Sequence, residues 1–146
     1  MAALVQHPGE LSLKKLLATL TTTLHEPTYV FAVVKDDTKL PPFSKVQMLF
    51  REDDTEGVTA ILTREDAEAH QLEYAFLCKK ITLNVMSSLD AVGFMAVIAT
   101  RLAKYEMGVN PVSGFYHDHL FVPLGREEDA VQILAELAKE AKEADA

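Results

Sequence analysis

The sequence holds a single cysteine, Cys78, in 146 residues, which leaves no partner for an intramolecular disulfide and no multi-cysteine metal site. Basic residues are the minority, with 14 Lys and Arg against 22 Asp and Glu and a formal net charge of -8. Phosphate binding needs clustered Lys and Arg, so that balance excludes nucleic acid and a polybasic contact with a membrane as expected partners. No apolar run approaches the roughly 20 residues that span a bilayer. The first ten residues lack a basic stretch followed by a long apolar one, so no signal peptide is expected and a reducing, cytoplasmic location is the default. Nucleotide-binding loops and the common hydrolase and metalloprotease fingerprints are missing as well. Cys78 follows the apolar run Tyr74–Leu77 with no activating helix start, and reads as an inert core thiol.

What remains is ordinary globular composition, 49% hydrophobic and 25% charged, in a chain long enough for one compact domain or two small ones sharing a core. Leu13, Leu16, Leu17, Leu20 and Leu24 recur at helical spacing, predicting a helix over 11–24 with Ser12 as its cap. Thr28–Val34 is β-branched or aromatic nearly throughout and predicts a central strand. The proline-bearing stretch 36–45 predicts a loop. Val46–Arg51 and Val58–Leu62 predict a hairpin turned at Asp53, Asp54 and Gly57. Thr63 opens a short helix in a T-x-x-D pattern.

Residues 73–85 predict a long strand, with Ile81, Leu83 and Val85 alternating against Thr82 and Asn84. Ser87-Ser88-Leu89-Asp90 then predicts a capping box for a helix whose buried stripe is Val92, Met95, Ala96, Ala99, Leu102 and Ala103, ending at Gly108. Strands over 109–115 and 120–123 and a helix over 125–141 complete the chain, with fraying beyond Lys139. The string predicts an α+β fold with a mostly antiparallel sheet and helices on one face. Neither half is a complete βαββαβ unit. The first lacks an opening strand and the second a closing one, and a strand shared between them would repair both.

The segment ITLNVMSSLDAVGFMAVIATRLAKYEMGVN, Ile81 to Asn110, resembles the strand-loop-helix signature of ACT domains. The later run VSGFYHDHLFVP, after Asn110-Pro111, resembles a small family of short tandem-ACT bacterial proteins. The resemblance covers about Leu11 to Ala141. It implies two ferredoxin-like (ACT-like) modules, 1–78 and 79–146, a regulatory or sensor role without catalysis, and no cofactor. The implied ligand is a small molecule, foremost an amino acid, bound at Ser87, Ser88, Leu89, Asp90, Val92, Gly93, Asn110, Pro111 and Val112. The usual loop of the family carries an acid followed by Arg or Lys and Gly, and Ser87–Gly93 departs from it.

The chemistry behind such a site is simple. The first amides of a helix lack intrahelical partners and suit a carboxylate. A glycine there removes a side chain where a ligand approaches. Plainer roles exist for each residue: Ser87 and Asp90 as caps, Gly93 for close packing, Asn110-Pro111 as strand entry, Tyr116, His117 and Asp118 as turn residues. Two other functions fit the residues. His117 and His119 share a strand face at a metal-compatible spacing, with His7, His25 or His70 as further ligands of a metal-dependent enzyme. Alternatively, open sheet edges make a homodimeric interaction module without a ligand. A homodimer is expected under either binding reading.

Overall fold

The computed structural model describes residues 2–53 and 56–145. Asp54, part of the predicted hairpin turn, lies outside them. The chain divides into two compact units: an inserted unit, Glu26–Lys79, and a flanking unit, Met1–His25 with Lys80–Ala146.

The inserted unit carries β2 (Tyr29–Val34), β3 (Val46–Arg51), β4 (Val58–Thr63), the helix α2 (Arg64–Ala69) and the first part of β5 (Glu73–Leu83). Its strands lie in the order β3-β4-β2-β5, and the registered pairs are antiparallel. Alternation places Val30, Ala32 and Val34 of β2 and Ala60 and Leu62 of β4 on one face, where Ala67 and Leu72 cover them. Thr63 Oγ1 accepts from the Asp66 amide at 3.1 Å, so the expected cap forms. Where a ferredoxin-like unit would have its first helix, residues 35–45 hold only two 3₁₀ turns, Asp37–Lys39 and Phe43–Lys45. This is the loop that its prolines predict, and Pro41-Pro42 explains why no longer helix forms.

The flanking unit holds α1 (Leu13–Ala18), β1 (Thr22–Leu24), the end of β5, α3 (Phe94–Ala103), β6 (Asn110–Ser113), β7 (Asp118–Pro123) and α4 (Glu127–Asp145). The strand order is β1-β5-β7-β6. In both units the order is the ferredoxin-like 4-1-3-2, with β5 closing the inserted unit and opening the flanking one. The missing strand of the second half is β1, whose Thr22, Thr23 and Leu24 pair antiparallel with Leu83, Thr82 and Ile81. The α+β expectation of two ferredoxin-like modules with a shared strand is met. The boundary between the units falls at Lys79/Lys80, and α1 and β1 group with the flanking unit.

Three local expectations change. The helix expected over 11–24 stops at Ala18, and β1 comes after it. Thr21-Thr22-Thr23 is β-branched, and pairing with β5 outweighs a weak helical preference there. The leucine stripe is nevertheless core: Leu16 and Leu20 are buried, and Leu13, Leu17 and Leu24 pack against them. The helix expected from Ser87 starts at Phe94, and its buried positions are Phe94, Ile98 and Leu102, while Val92 is 85% exposed. The i, i+4 set of the largest side chains wins over a stripe rich in alanine. The helix also ends at Ala103, with Glu106 rather than Gly108 in the left-handed conformation. At the other end α4 continues through Asp145, past the expected fraying.

Cys78 is fully buried, its Sγ 3.4 Å from the Tyr29 carbonyl oxygen, and burial pushes its thiol up to about 12. It is a core thiol, as its sequence context indicates.

Candidate functional site

In the flanking unit β5 ends at Leu83 and the chain runs through an extended loop, residues 84–93, before α3. The serines are not helix caps. Ser87 Oγ donates to Asp118 Oδ2 at 3.1 Å, tying the loop to the start of β7. Ser88 is buried, and its Oγ accepts from the Asp90 amide at 3.1 Å while its carbonyl accepts from Ala91 at 2.9 Å. These bonds form a local serine turn in place of the expected capping box. The Asp90 side chain, relieved of any capping duty, is exposed.

Gly93 is the residue that starts the helix. It is the N-cap, with φ 93° and ψ -11°, and no side chain caps the helix. A Cβ at this position would meet only Leu13 Cδ2, at 3.5 Å. Close packing therefore does not require glycine; the left-handed backbone does. The Gly93 carbonyl accepts from Val97, so the amides of Phe94, Met95 and Ala96 open the helix ahead of the first intrahelical bond.

The N-terminal segment borders the same loop. The Glu10 amide donates to the Met86 carbonyl at 2.7 Å and the Ser88 amide donates to the Glu10 carbonyl at 3.0 Å. His7 Nε2 faces the Phe115 carbonyl, and the two rings lie 4.7 Å apart. Sequence patterning carries no signal for this strap, because residues 2–10 have no periodicity. On β6, Asn110, Pro111 and Val112 pair with Phe121, Leu120 and His119, while Ser113 lies opposite Asp118, the residue that holds Ser87. The loop thus joins the hairpin at its Ser113 end, with Asn110–Val112 one to three places further along. Leu89 and Val92 stand out at 61% and 85% exposure.

The opposite face of these strands carries a second polar group that the sequence does not single out as a set. Thr82 Oγ1 is 2.8 Å from His25 Nε2 and 2.9 Å from His119 Nδ1. One hydroxyl proton serves two rings, so Thr82 donates to one imidazole and accepts from the other. Burial lowers the proton affinity of His119 and of His25, and the Lys80 charge lowers both further. His117 stands near enough to His119 to act on it electrostatically. Among the described residues, no group of three or more His, Cys, Asp or Glu is placed to hold a metal ion.

Two family models match the chain, both described as ACT domain: one over residues 8–79 and one over 76–136. No curated protein matches it. Among solved structures, a Vibrio cholerae protein of unknown function, described as a possible transport protein, is 36% identical with a TM-score of 0.72, over 86% of this chain and 95% of that one. The regulatory subunit of aspartate kinase from Thermus flavus is 10% identical with a TM-score of 0.60, over 80% and 96%. An Agrobacterium tumefaciens protein is 15% identical with a TM-score of 0.66, over 82% and 89%. The last two show likeness of fold. With two family models in tandem and a 36% identical relative covered almost end to end, the chain belongs to the ACT domain family.

Proposed function

We propose that this protein is a regulatory or sensor module that binds an amino acid without catalysing its conversion, and that it works in the cytoplasm as a homodimer. The observation that carries the reading is the start of α3. A left-handed Gly93, with only Leu13 Cδ2 within reach of where a Cβ would stand, delivers the chain into the leading amides of Phe94, Met95 and Ala96. Those amides and the positive helix end suit the ligand carboxylate. Asp90, exposed and free of a capping role, stands ready for the ligand ammonium group. Ser87, Ser88 and Leu89 shape the loop, Val92 flanks the opening, and Asn110, Pro111 and Val112 form the second wall.

Support for the class comes from the tandem ACT domains and from the likeness of fold to a protein whose name is that of a regulatory subunit. We read the run YHDHLFVP, Tyr116–Pro123, as the mark of a subgroup of short tandem-ACT proteins, with modules divided at 78/79. Exposed Leu89 and Val92 on the loop, and β6 as an end strand of its unit, favour a second copy as partner. No helix among the described residues is long and apolar enough to cross a membrane.

The test is a thermal-shift screen with the proteinogenic amino acids, in which a ligand at 100 times its dissociation constant adds about 2.7 kcal/mol of stability. Asp90→Ala should weaken the hit about tenfold, the loss of one ionic contact to an ammonium group, and leave the unliganded melting unchanged. A screen with no hit, or a hit that binds the variant equally well, overturns the reading. Sedimentation that finds only a 16.2 kDa species removes the dimer from it.

A further inference from the structure

Away from the loop, the flanking unit has a cavity of about 330 Å3 between α4 and the end strand β1. Its floor is apolar: Leu20, Leu134 and Ala138 are buried core residues that show one side to it. Its rim is cationic, and that is unexpected on this helix. The α4 sequence is dominated by acids, and Lys139 and Lys142 are its only two cations. Both border the cavity, and none of the residues that line it is acidic: Glu140 pairs with Arg101, Glu136 lines a separate groove beside Tyr105, and the exposed Glu143, next to Lys142 in sequence, is outside the lining. The hydroxyl-bearing Thr21 and Thr22 close the remaining side.

An apolar floor with two lysines on the rim of an otherwise acidic chain selects by charge as well as by shape. The chain as a whole carries a net charge of -8, whereas the two charged residues that line this cavity are both lysines. The volume suits a small molecule, being at the lower end of the roughly 300–1,000 Å3 of ligand pockets. We propose that this cavity is a second ligand site, which takes a small monocarboxylate with an apolar body: the body against Leu20, Leu134, Ala135 and Ala138, the carboxylate against Lys139 and Lys142. The site shares no residue with the loop 84–93 and stands whether or not an amino acid binds there.

Titration of isotope-labelled protein, followed by amide resonances, tests it with octanoate, octylamine and acetate as probes. Octanoate should shift the amides of Thr21, Thr22, Ala135 and Ala138 saturably, with a dissociation constant on the order of 1 mM for so few atoms. Octylamine shares the body and acetate shares the head, and each should bind at least several-fold more weakly. Ala135→Phe, at an exposed helical position, should fill the floor and abolish the shifts. Lys139→Gln with Lys142→Gln should weaken octanoate about fivefold, as expected for two exposed charges. Absence of saturable shifts at these residues overturns the proposal. So does octylamine binding equal to octanoate, or unchanged affinity in the folded Ala135→Phe protein.

Discussion

The two units share a strand order and differ in the segment after their first strand. In the inserted unit β2 leads into residues 35–45, where two 3₁₀ turns fill the place of a helix; in the flanking unit β5 leads through Gly93 into the ten-residue α3. The difference decides where a carboxylate site of the helix-start kind is available. A 3₁₀ turn of three residues presents few aligned amides, whereas α3 presents a full first turn. The two units also differ in core. The inserted unit relies on one short helix, α2, over Val30, Ala32, Val34, Ala60 and Leu62, while α1, α3 and α4 jointly cover Ile81, Leu83, Leu120 and Val122 in the flanking one.

The largest expected effect tests that second contrast. Leu102→Ala removes a fully buried side chain from the middle of the flanking core, and Leu62→Ala does the same in the inserted core. Each should cost about 2–5 kcal/mol through lost transfer energy and a residual cavity. The flanking site is walled by helices on several sides and collapses less readily, so Leu102→Ala should be the more costly of the two. Urea unfolding with unchanged slopes measures both. A loss below about 0.5 kcal/mol for either, the range of open surface sites, would mean that its core is not packed as described.

A middle-sized effect separates two glycines with the same backbone sign. Gly57 has φ 113° and Gly93 has φ 93°. At Gly57 a Cβ would fall 2.5 Å from the Val34 carbonyl oxygen, and at Gly93 it would meet only Leu13 Cδ2 at 3.5 Å. Gly93→Ala should therefore cost only the backbone strain, about 1 kcal/mol, whereas Gly57→Ala adds a collision with main chain and should exceed it by at least about 1 kcal/mol. Equal losses in thermal melting would show that backbone conformation alone sets the cost at both positions and that the crowding at Gly57 is relieved at no expense. Any side chain at Gly93 strains the helix start, so a substitution there reports on backbone conformation as well as on space.

Much of the architecture is legible in the sequence because it rests on period and capping. β-branched and aromatic content marks β2, turn residues bracket β3 and β4 almost to the residue, and T-x-x-D marks the cap of α2. The failures share a cause: local signals that a distant pairing outweighs. Thr22–Leu24 continues a helical leucine stripe, yet it is taken as a strand by Ile81–Leu83, some 60 residues away in sequence. Ser87 and Asp90 spell a capping box, yet Ser87 is claimed by Asp118 and the helix waits for Gly93. The Thr82 cluster is invisible in the sequence for the same reason. His25, Thr82 and His119 are isolated polar residues there, and only the pairing of β1 and β7 beside β5 brings them to one hydroxyl.

The smallest effect concerns that cluster, which the flanking unit alone possesses. Burial, and then the Lys80 charge, lower the proton affinity of both His25 and His119, so the folded chain favours the neutral rings. The unfolded chain binds protons at the ordinary imidazole value of about 6.5. Below that value the unfolded state takes up more protons than the folded one, and the slope of unfolding free energy with pH is positive. The contribution of the pair is therefore complete above about pH 6.5 and is lost as pH falls from there through the folded values. Melting temperature should drop between about pH 7.5 and about pH 5.5, a window above the usual carboxylate range of about 4. Replacing both rings, His25→Gln with His119→Gln, keeps a hydrogen-bonding group beside Thr82 while removing the titration. The double variant should lose less melting temperature across the window than the parent, with His7, His70 and His117 left in place as the common background. An identical drop in both proteins would mean that the two rings titrate alike in the folded and unfolded chain, and that the Thr82 cluster does not set the acid side of this unit's stability.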